Sequence, residues 1–379
     1  MRPSSREAWL AAADETGAVG NASSLHAAGR RARAIVEDAR EQVAAALGAH
    51  PTEVVFTSGA TEANNLAIQG ASGSIVVSSP IEHHSALDPV KWLETAGVSR
   101  VVWLAVAANG VTEVAPEALP PLDGETGLLN LQWVNNETGV IQPIAEAVAA
   151  ATSAGYRVHS DAVQAVPYLD VDFAASGLTT MAVSAHKLGG PIGVGALLVT
   201  RDARLAPLAM GGGQQRFRSG TLDAAGASAF AVALAETVAE RETESARLQA
   251  LRDDLAAWAV ANVPGAAVSG AGIERAPFAP GAAPNRTPSA TASAATSPHI
   301  LHIVFPGKSA ESMLTGLDLA GVEVSSGSAC TAGIVDASHV LLAMGRTQAD
   351  AASALRVSLG RTTTREDVVA LETALASLV

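Results

Sequence analysis

Short runs of β-branched and apolar residues alternate along this chain with longer stretches of helical periodicity, and that alternation restricts the fold more than any other feature. Strand-like runs fall at Val54–Thr57, Ser74–Ser78, Val101–Leu104, Leu128–Val134, Arg157–Ser160, Thr180–Ser184, Gly195–Val199 and His299–Phe305. Helical stretches are His26–Leu47, Thr61–Gln69, Ile144–Ala154, Thr221–Val260, Ser309–Leu319 and Arg365–Leu378, by the change of period from 2 to 3.6. Strands separated by helices predict an α/β fold with a mostly parallel sheet. Ligands of such sheets sit beyond the carboxyl ends of the strands, where the loops gather. The polar motifs of this chain fall at those ends.

Composition narrows the function. The 379 residues are 48% apolar, enough for a large core and a second, smaller lobe. The single cysteine, Cys330, excludes an intrachain disulfide framework and a multi-cysteine zinc site, which makes a reducing cytoplasm the expected compartment. The stretch Met1–Asp14 lacks the pattern of a secretory signal, and no run of eighteen apolar residues occurs, so a membrane span is not expected. A net charge of −13 argues against a nucleic-acid-binding surface, which needs clustered Lys and Arg. Lysine is scarce, at Lys91, Lys187 and Lys308. The Ala/Pro/Ser/Thr-rich stretch Arg275–Pro298 has no periodicity and reads as a surface loop.

Several segments carry chemistry together that none carries alone. Cys330 lies in Ser325-Ser326-Gly327-Ser328-Ala329-Cys330-Thr331-Ala332-Gly333; an isolated cysteine is most often a small buried hydrophobe, but small polar neighbours suit a displayed thiol. Lys187 follows an apolar strand in Ser184-Ala185-His186-Lys187. Such a lysine is either a surface residue at a strand end or an amine used covalently, as in a Schiff base with an aldehyde cofactor such as pyridoxal phosphate (PLP). Thr57-Ser58-Gly59-Ala60-Thr61-Glu62 is a strand, a glycine turn and a helix start, whose backbone N–H groups and Thr61 hydroxyl suit a phosphate. Asp161 ends a strand in Asp161-Ala162-Val163-Gln164, as a helix cap or as the partner of a protonated pyridine nitrogen. His83, at the helix start Glu82-His83-His84-Ser85, suits capping, ring stacking or proton transfer.

Nine short runs, taken in order, resemble the NifS/IscS-type cysteine desulfurases of aminotransferase class V, fold-type I PLP enzymes. Besides those already quoted they are Asn21-Ala22-Ser23-Ser24-Leu25-His26, Val134-Asn135-Asn136-Glu137-Thr138-Gly139, Arg218-Ser219-Gly220-Thr221 and Leu355-Arg356-Val357-Ser358-Leu359-Gly360. The resemblance implies a large PLP-binding domain over residues 14–235. It implies a smaller α+β domain from residues 1–13 and 236–379, carrying a mobile cysteine loop at about 325–335. It implies that Lys187 bonds the cofactor, that Asp161 pairs with its ring nitrogen, that Gln164 and Asn136 approach its ring oxygen and that His83 stacks on the ring. Ala60, Thr61, Ser184 and His186 would hold the phosphate, with Thr221 reaching it from the neighbouring subunit of a homodimer. Arg356, with Asn136, would bind the carboxylate of L-cysteine, and Cys330 would take its sulfur as a persulfide. The acceptor implied is an iron–sulfur scaffold or a sulfur-carrier protein.

Relatives begin with a strand and a Tyr-Leu-Asp-like segment lining the substrate cleft, whereas this chain begins at Met1-Arg2-Pro3; either the start is assigned too late or the segment is absent, and its absence would mean a more open cleft and lower stability. The glycine loop Gly211–Arg218 is one residue shorter, and Ala22 replaces a proline. The alternatives are a selenocysteine lyase, another class V lyase or aminotransferase, or an impaired homologue acting as a binding partner. The Cys330 run argues against an aminotransferase, which needs no thiol. Lys187, Asp161, His83, Arg356 and Cys330 together argue against a binding module.

Overall fold

The computed structural model describes residues 1–17, 20–71, 73–270, 295–327 and 337–378. Cys330 and most of the Arg275–Pro298 stretch lie outside the described residues.

The chain opens with helix α1 (Pro3–Thr16) and helix α2 (Ala27–Ala46). Pro3 stands at the first helical position, where a missing N–H costs nothing. Then come β1 (Val54–Thr57), α3 (Ala60–Gly70), β2 (Ile75–Ser78), α4 (His84–Thr95), β3 (Arg100–Trp103), β4 (Gly127–Asn130), α5 (Ile144–Ser153), β5 (Arg157–Asp161), α6 (Phe173–Ser176), β6 (Thr180–Ser184) and β7 (Gly195–Val199). These strands form a seven-stranded sheet in the order β1-β7-β6-β5-β4-β2-β3. β6, β5, β4, β2 and β3 are parallel, and β7 runs antiparallel to both its neighbours. Every residue of β2, β4, β6 and β7 is buried, as expected for a sheet covered on both faces. The sheet is therefore the α/β sheet that the alternation predicts.

Helix α7 (Ala224–Asn262) leads into the second lobe. Its first half, through Leu234, packs in the core of the large sheet, and Leu248, Leu255, Ala256 and Ala259 pack in a second core. There the chain forms β8 (Ala267–Val268), β9 (Ile300–Val304), α8 (Ala310–Leu319), β10 (Ser325–Ser326), α9 (His339–Ala343), α10 (Gln348–Ala351), β11 (Ala354–Ser358) and α11 (Arg365–Leu378). The four strands make an antiparallel sheet ordered β10-β11-β9-β8. Residues 1–13, expected with the smaller domain, form most of α1. That helix lies along the first half of α7, where Ser5 Oγ donates to the Ala229 carbonyl at 2.8 Å.

Candidate active site

The site is built where the carboxyl ends of β1, β5 and β6 meet the small sheet. β5 ends on Asp161, which is buried. Its Oδ1 caps the next turn by accepting from the Val163 amide at 3.0 Å, and its Oδ2 accepts from Asn64 Nδ2 at 2.6 Å. Asn64 is fixed in turn, because its Oδ1 faces His159 Nε2 at 3.1 Å while His159 Nδ1 faces the Thr180 hydroxyl at 2.9 Å. Burial pushes His159 down to about 3, so the ring is neutral: Nε2 donates to Asn64, and Nδ1 accepts from Thr180. Asn64 also donates to Ser85 Oγ at 2.8 Å, and that hydroxyl lies 2.7 Å from His83 Nδ1.

His83 is the N-cap of α4, its Nδ1 accepting from the Ser85 amide at 3.1 Å. Burial lowers its pKa. The Asp161 charge opposes that, and Lys187 and Arg356 add to it. The proton of the neutral ring therefore sits on Nε2. Pro89, inside α4, has no N–H for the Ser85 carbonyl, and Asn65 Nδ2 approaches that oxygen at 3.4 Å instead.

β6 runs into a short 3-10 turn, Ala185–Leu188, on which Lys187 is exposed. Ser184 Oγ and His186 Nδ1 share a hydrogen bond of 2.8 Å. Facing them is the N-terminus of α3, where Gly59 has φ +146 and a Cβ added to it would stand 3.8 Å from Ser184 Oγ. The α3 amides with Ala60 and the exposed Thr61 thus open beside Ser184 and His186, a cradle suited to an anion. Glu62 completes its rim: burial would raise its carboxyl, but Arg218, 2.8 Å away, and Ser58 hold it low. Thr221 is exposed and makes no hydrogen bond among the described residues.

Gln164 Oε1 faces His299 Nε2 at 2.9 Å, and His299 Nδ1 faces Ser297 Oγ at 2.6 Å. Burial, helped by Lys187, Arg252 and Arg356, pushes His299 down to about 3. It is a neutral donor to Gln164, leaving the Gln164 amide N–H groups for another acceptor. Tyr168 stacks on the His299 ring at 4.0 Å.

The small lobe contributes Arg356 from β11, paired in register with Ser325 of β10 and His302 of β9. Its NH1 donates to the Asn136 carbonyl at 3.1 Å, while its Nε is buried with no hydrogen-bond partner among the described residues. Glu137 accepts from Ser338 Oγ at 2.5 Å, and burial pushes its carboxyl up to about 7 against the pull of Arg356. A Cβ on Gly327 would fall 2.7 Å from Glu137 Oε2 and 3.2 Å from His302 Nε2, so only glycine fits there without displacement.

Of the residues singled out in the sequence, Asp161 reaches His83 through Asn64 and Ser85, His83 and Thr61 line one pocket, Lys187 follows Ser184 and His186 on the turn after β6, and Arg356 enters from the small lobe on the Asn136 carbonyl. Ala60, Thr61, Ser184 and His186 gather at the cradle. Sequence reasoning missed Asn64, Ser85, His159, His299 and Glu137. Two of these had a usable signal: His159 is two residues before Asp161 in one strand and Asn64 one helical turn after Thr61, which places each pair on a shared face.

The class V aminotransferase family model matches residues 10–270 and 283–371. The chain belongs to that family, in its NifS/IscS-like branch. An IscS-like cysteine desulfurase of Mycobacterium tuberculosis is 43% identical over 97% of this chain and 91% of its own length. Cysteine desulfurase IscS of Dictyoglomus turgidum is 35% identical over 92% of this chain and 84% of its own. Among solved structures, a NifS-like protein from Rickettsia africae superposes with a TM-score of 0.84 at 27% identity, covering 100% of this chain and 96% of the other. The fold is that of a PLP family, and the donor set fits such a group. An anion cradle at a helix N-terminus, a fully bonded buried carboxylate and an exposed lysine stand around one histidine ring.

Proposed function

We propose that the protein is a PLP-dependent cysteine desulfurase that converts L-cysteine to L-alanine and carries the released sulfur as a persulfide on Cys330. The observation carrying this reading is the hydrogen-bonded chain Asp161–Asn64–Ser85–His83 beside the Lys187 turn and its Ser184–His186 pair, with Arg356 reaching in from the small lobe onto the Asn136 carbonyl. The names of the relatives, high in identity over nearly the whole chain, support the substrate. When bound, PLP supplies an electron sink for negative charge at the substrate α-carbon.

The protein's own residues do the rest. Ala60, Thr61, Ser184 and His186 hold the phosphate. Asp161, aimed by Asn64, would face the ring nitrogen. The His83 ring stacks on the cofactor, and Gln164, oriented by His299, donates to its ring oxygen alongside Asn136. Lys187 Nζ would bond the cofactor aldehyde and, as a free amine, would hold and move the α-proton. Arg356 binds the α-carboxylate through its remaining N–H groups, a bidentate task suited to a planar guanidinium. The Cys330 thiolate attacks the substrate sulfur. An S–S bond forms, the Cβ–S bond breaks with its electron pair moving to carbon, and protonation of that carbon yields alanine.

We also place the lobe boundary in the α7 stretch between the two cores, near residues 235–247. Residues 14–235 form the cofactor domain and the C-terminal part the small domain. Strongly exposed Leu25, Ile192 and Met210 suit a homodimer interface, across which the unpartnered Thr221 would reach a second phosphate cradle. A persulfide is handed on to another thiolate, so the partner is an iron–sulfur scaffold or sulfur-carrier protein in a reducing cytoplasm. No helix among the described residues is long and apolar enough to cross a membrane. The test is alanine and sulfide production from L-cysteine by the PLP-loaded protein. Turnover abolished by Lys187→Ala is the expected result, and an unreactive, colourless wild type after PLP incubation would refute the reading.

A further inference from the structure

We infer that Arg2 is a positioning residue for Lys187, clamping the peptide that follows Lys187 onto α7 and so setting where its amine stands. The inference rests on the assignment of Lys187 as the cofactor-bonding amine. Lys187 sits on a turn of four residues, too short to hold itself rigidly, and a lysine side chain has many rotamers. The position of its Nζ therefore depends on how firmly the backbone on either side is fixed.

On the amino side the turn continues β6, whose ladder fixes it. On the carboxyl side the Gly190 amide closes the turn on the Ala185 carbonyl at 2.8 Å, and Arg2 ties the closed turn to α7. Its amide donates to the Gly189 carbonyl at 2.7 Å, and its Nε donates to the Leu188 carbonyl at 3.0 Å. NH2 donates to Thr237 Oγ1 at 3.2 Å, and that hydroxyl also lies 3.2 Å from the Leu188 carbonyl. NH1 pairs with Glu236 at 3.1 Å and Glu240 at 2.8 Å. Arg2 is 7% exposed. A buried guanidinium is tolerated when its donors are matched, and here all three nitrogens are used. Gly189 has φ +79, and a Cβ there would meet Arg2 Cγ at 2.9 Å, so the peptide and the arginine pack in direct contact. Glu236, Thr237 and Glu240 flank Val238, the last α7 residue packed on the first core, ahead of Leu248 in the second, so the clamp ties the Lys187 turn to the helix joining the lobes.

The test compares PLP-loaded wild type with Arg2→Ala, Arg2→Lys, Thr237→Val and the double variant Glu236→Gln/Glu240→Gln. Three quantities are read: Tm, the rate of cofactor loss on dilution, and the pH midpoint at which the visible band of the bound cofactor changes. Arg2→Ala should speed cofactor loss roughly tenfold, the scale of one charge-assisted hydrogen bond, and displace the midpoint. Arg2→Lys should fail to restore either, because an ammonium cannot reproduce the fork. The double variant keeps the Leu188 contact and should lower Tm alone. The proposal is overturned if Arg2→Ala lowers Tm but leaves loss rate and midpoint at wild-type values, or if the double variant moves both as far. Should Arg2→Ala not fold, Thr237→Val must displace the midpoint while the double variant leaves it at the wild-type value; an unmoved midpoint in Thr237→Val overturns the inference. A visible band that survives Lys187→Ala would instead refute the assignment of Lys187 itself.

Discussion

The two sides of the site are finished differently. On the large-sheet side, the chain Thr180–His159–Asn64–Asp161 pairs each polar side-chain atom along it, and the buried atoms left unpaired nearby among the described residues, Glu82 Oε2, Asn130 Oδ1 and Ser160 Oγ, lie outside that chain. The side facing the small lobe leaves Arg356 Nε and His302 Nε2 buried and unpaired among the described residues, and Glu137 there is pushed up to about 7. A fully bonded network is rigid and specifies one arrangement, whereas unpaired buried donors carry a cost that a bound anion can relieve. The cofactor side is thus organised in advance, and the substrate side is organised to receive a carboxylate.

Substitutions should separate the sides. The largest effect belongs to Lys187→Ala, which should abolish both the visible absorbance and sulfide release, measured on the same preparation. Asp161→Asn should come next, weakening cofactor retention by about 10- to 100-fold, the scale of a hydrogen bond to a charged group; equilibrium dialysis against PLP checks it. Asn64→Ala removes a donor from Asp161 Oδ2 and should weaken retention by roughly tenfold, with little change in KM for L-cysteine. Arg356→Lys should do the reverse, raising KM while the cofactor stays bound. If Asn64→Ala raised KM as much as Arg356→Lys does, the division between the two sides would not hold.

The smallest effect is on stability against pH. Burial, with a lesser contribution from the Asp161 charge, raises the Glu82 carboxyl from 4.5 to about 8. Between those values the folded protein binds more protons than the unfolded chain, so stability falls as pH rises through that window. Glu137, raised to about 7, acts with the same sign. The buried histidines His159, His299 and His302, held down to about 3, act with the opposite sign below about pH 6.5, so the window is pH 6.5 to pH 8, where Tm should decline in the wild type and decline less in Glu82→Gln.

Much of this was legible in the sequence for a physical reason: strands of the large sheet are continuous buried runs, and their ends carry the polar motifs. The eight strand runs each match a strand of the structure, although β4 stops at Asn130 rather than continuing to Val134. The start of helix α4 was legible at His83, but its body was not, because Pro89 interrupts it and the Ser85 carbonyl is approached instead by Asn65, distant in sequence. Helix α1 was hidden because only Ser5 and Ala12 on it are buried, leaving no apolar stripe to read. Strand β11 was missed although Leu355, Arg356, Val357 and Ser358 alternate apolar and polar, with Leu355 and Val357 buried; the run is only five residues long. His299 and Glu137 act through partners far along the chain, Gln164 and Ser338, and pairings at that separation leave no local pattern.

The central claim is that a cofactor site at Lys187 and a thiol at Cys330 act on one substrate. Peptide mass spectrometry after a single turnover of L-cysteine, with thiols alkylated at once, tests it most directly. One added sulfur on the peptide containing Cys330 is the predicted result. Cys330→Ser should still bind L-cysteine, seen as a change in the visible band, and release almost no sulfide. A Cys330→Ser variant that released sulfide at the wild-type rate without added thiol would contradict the account.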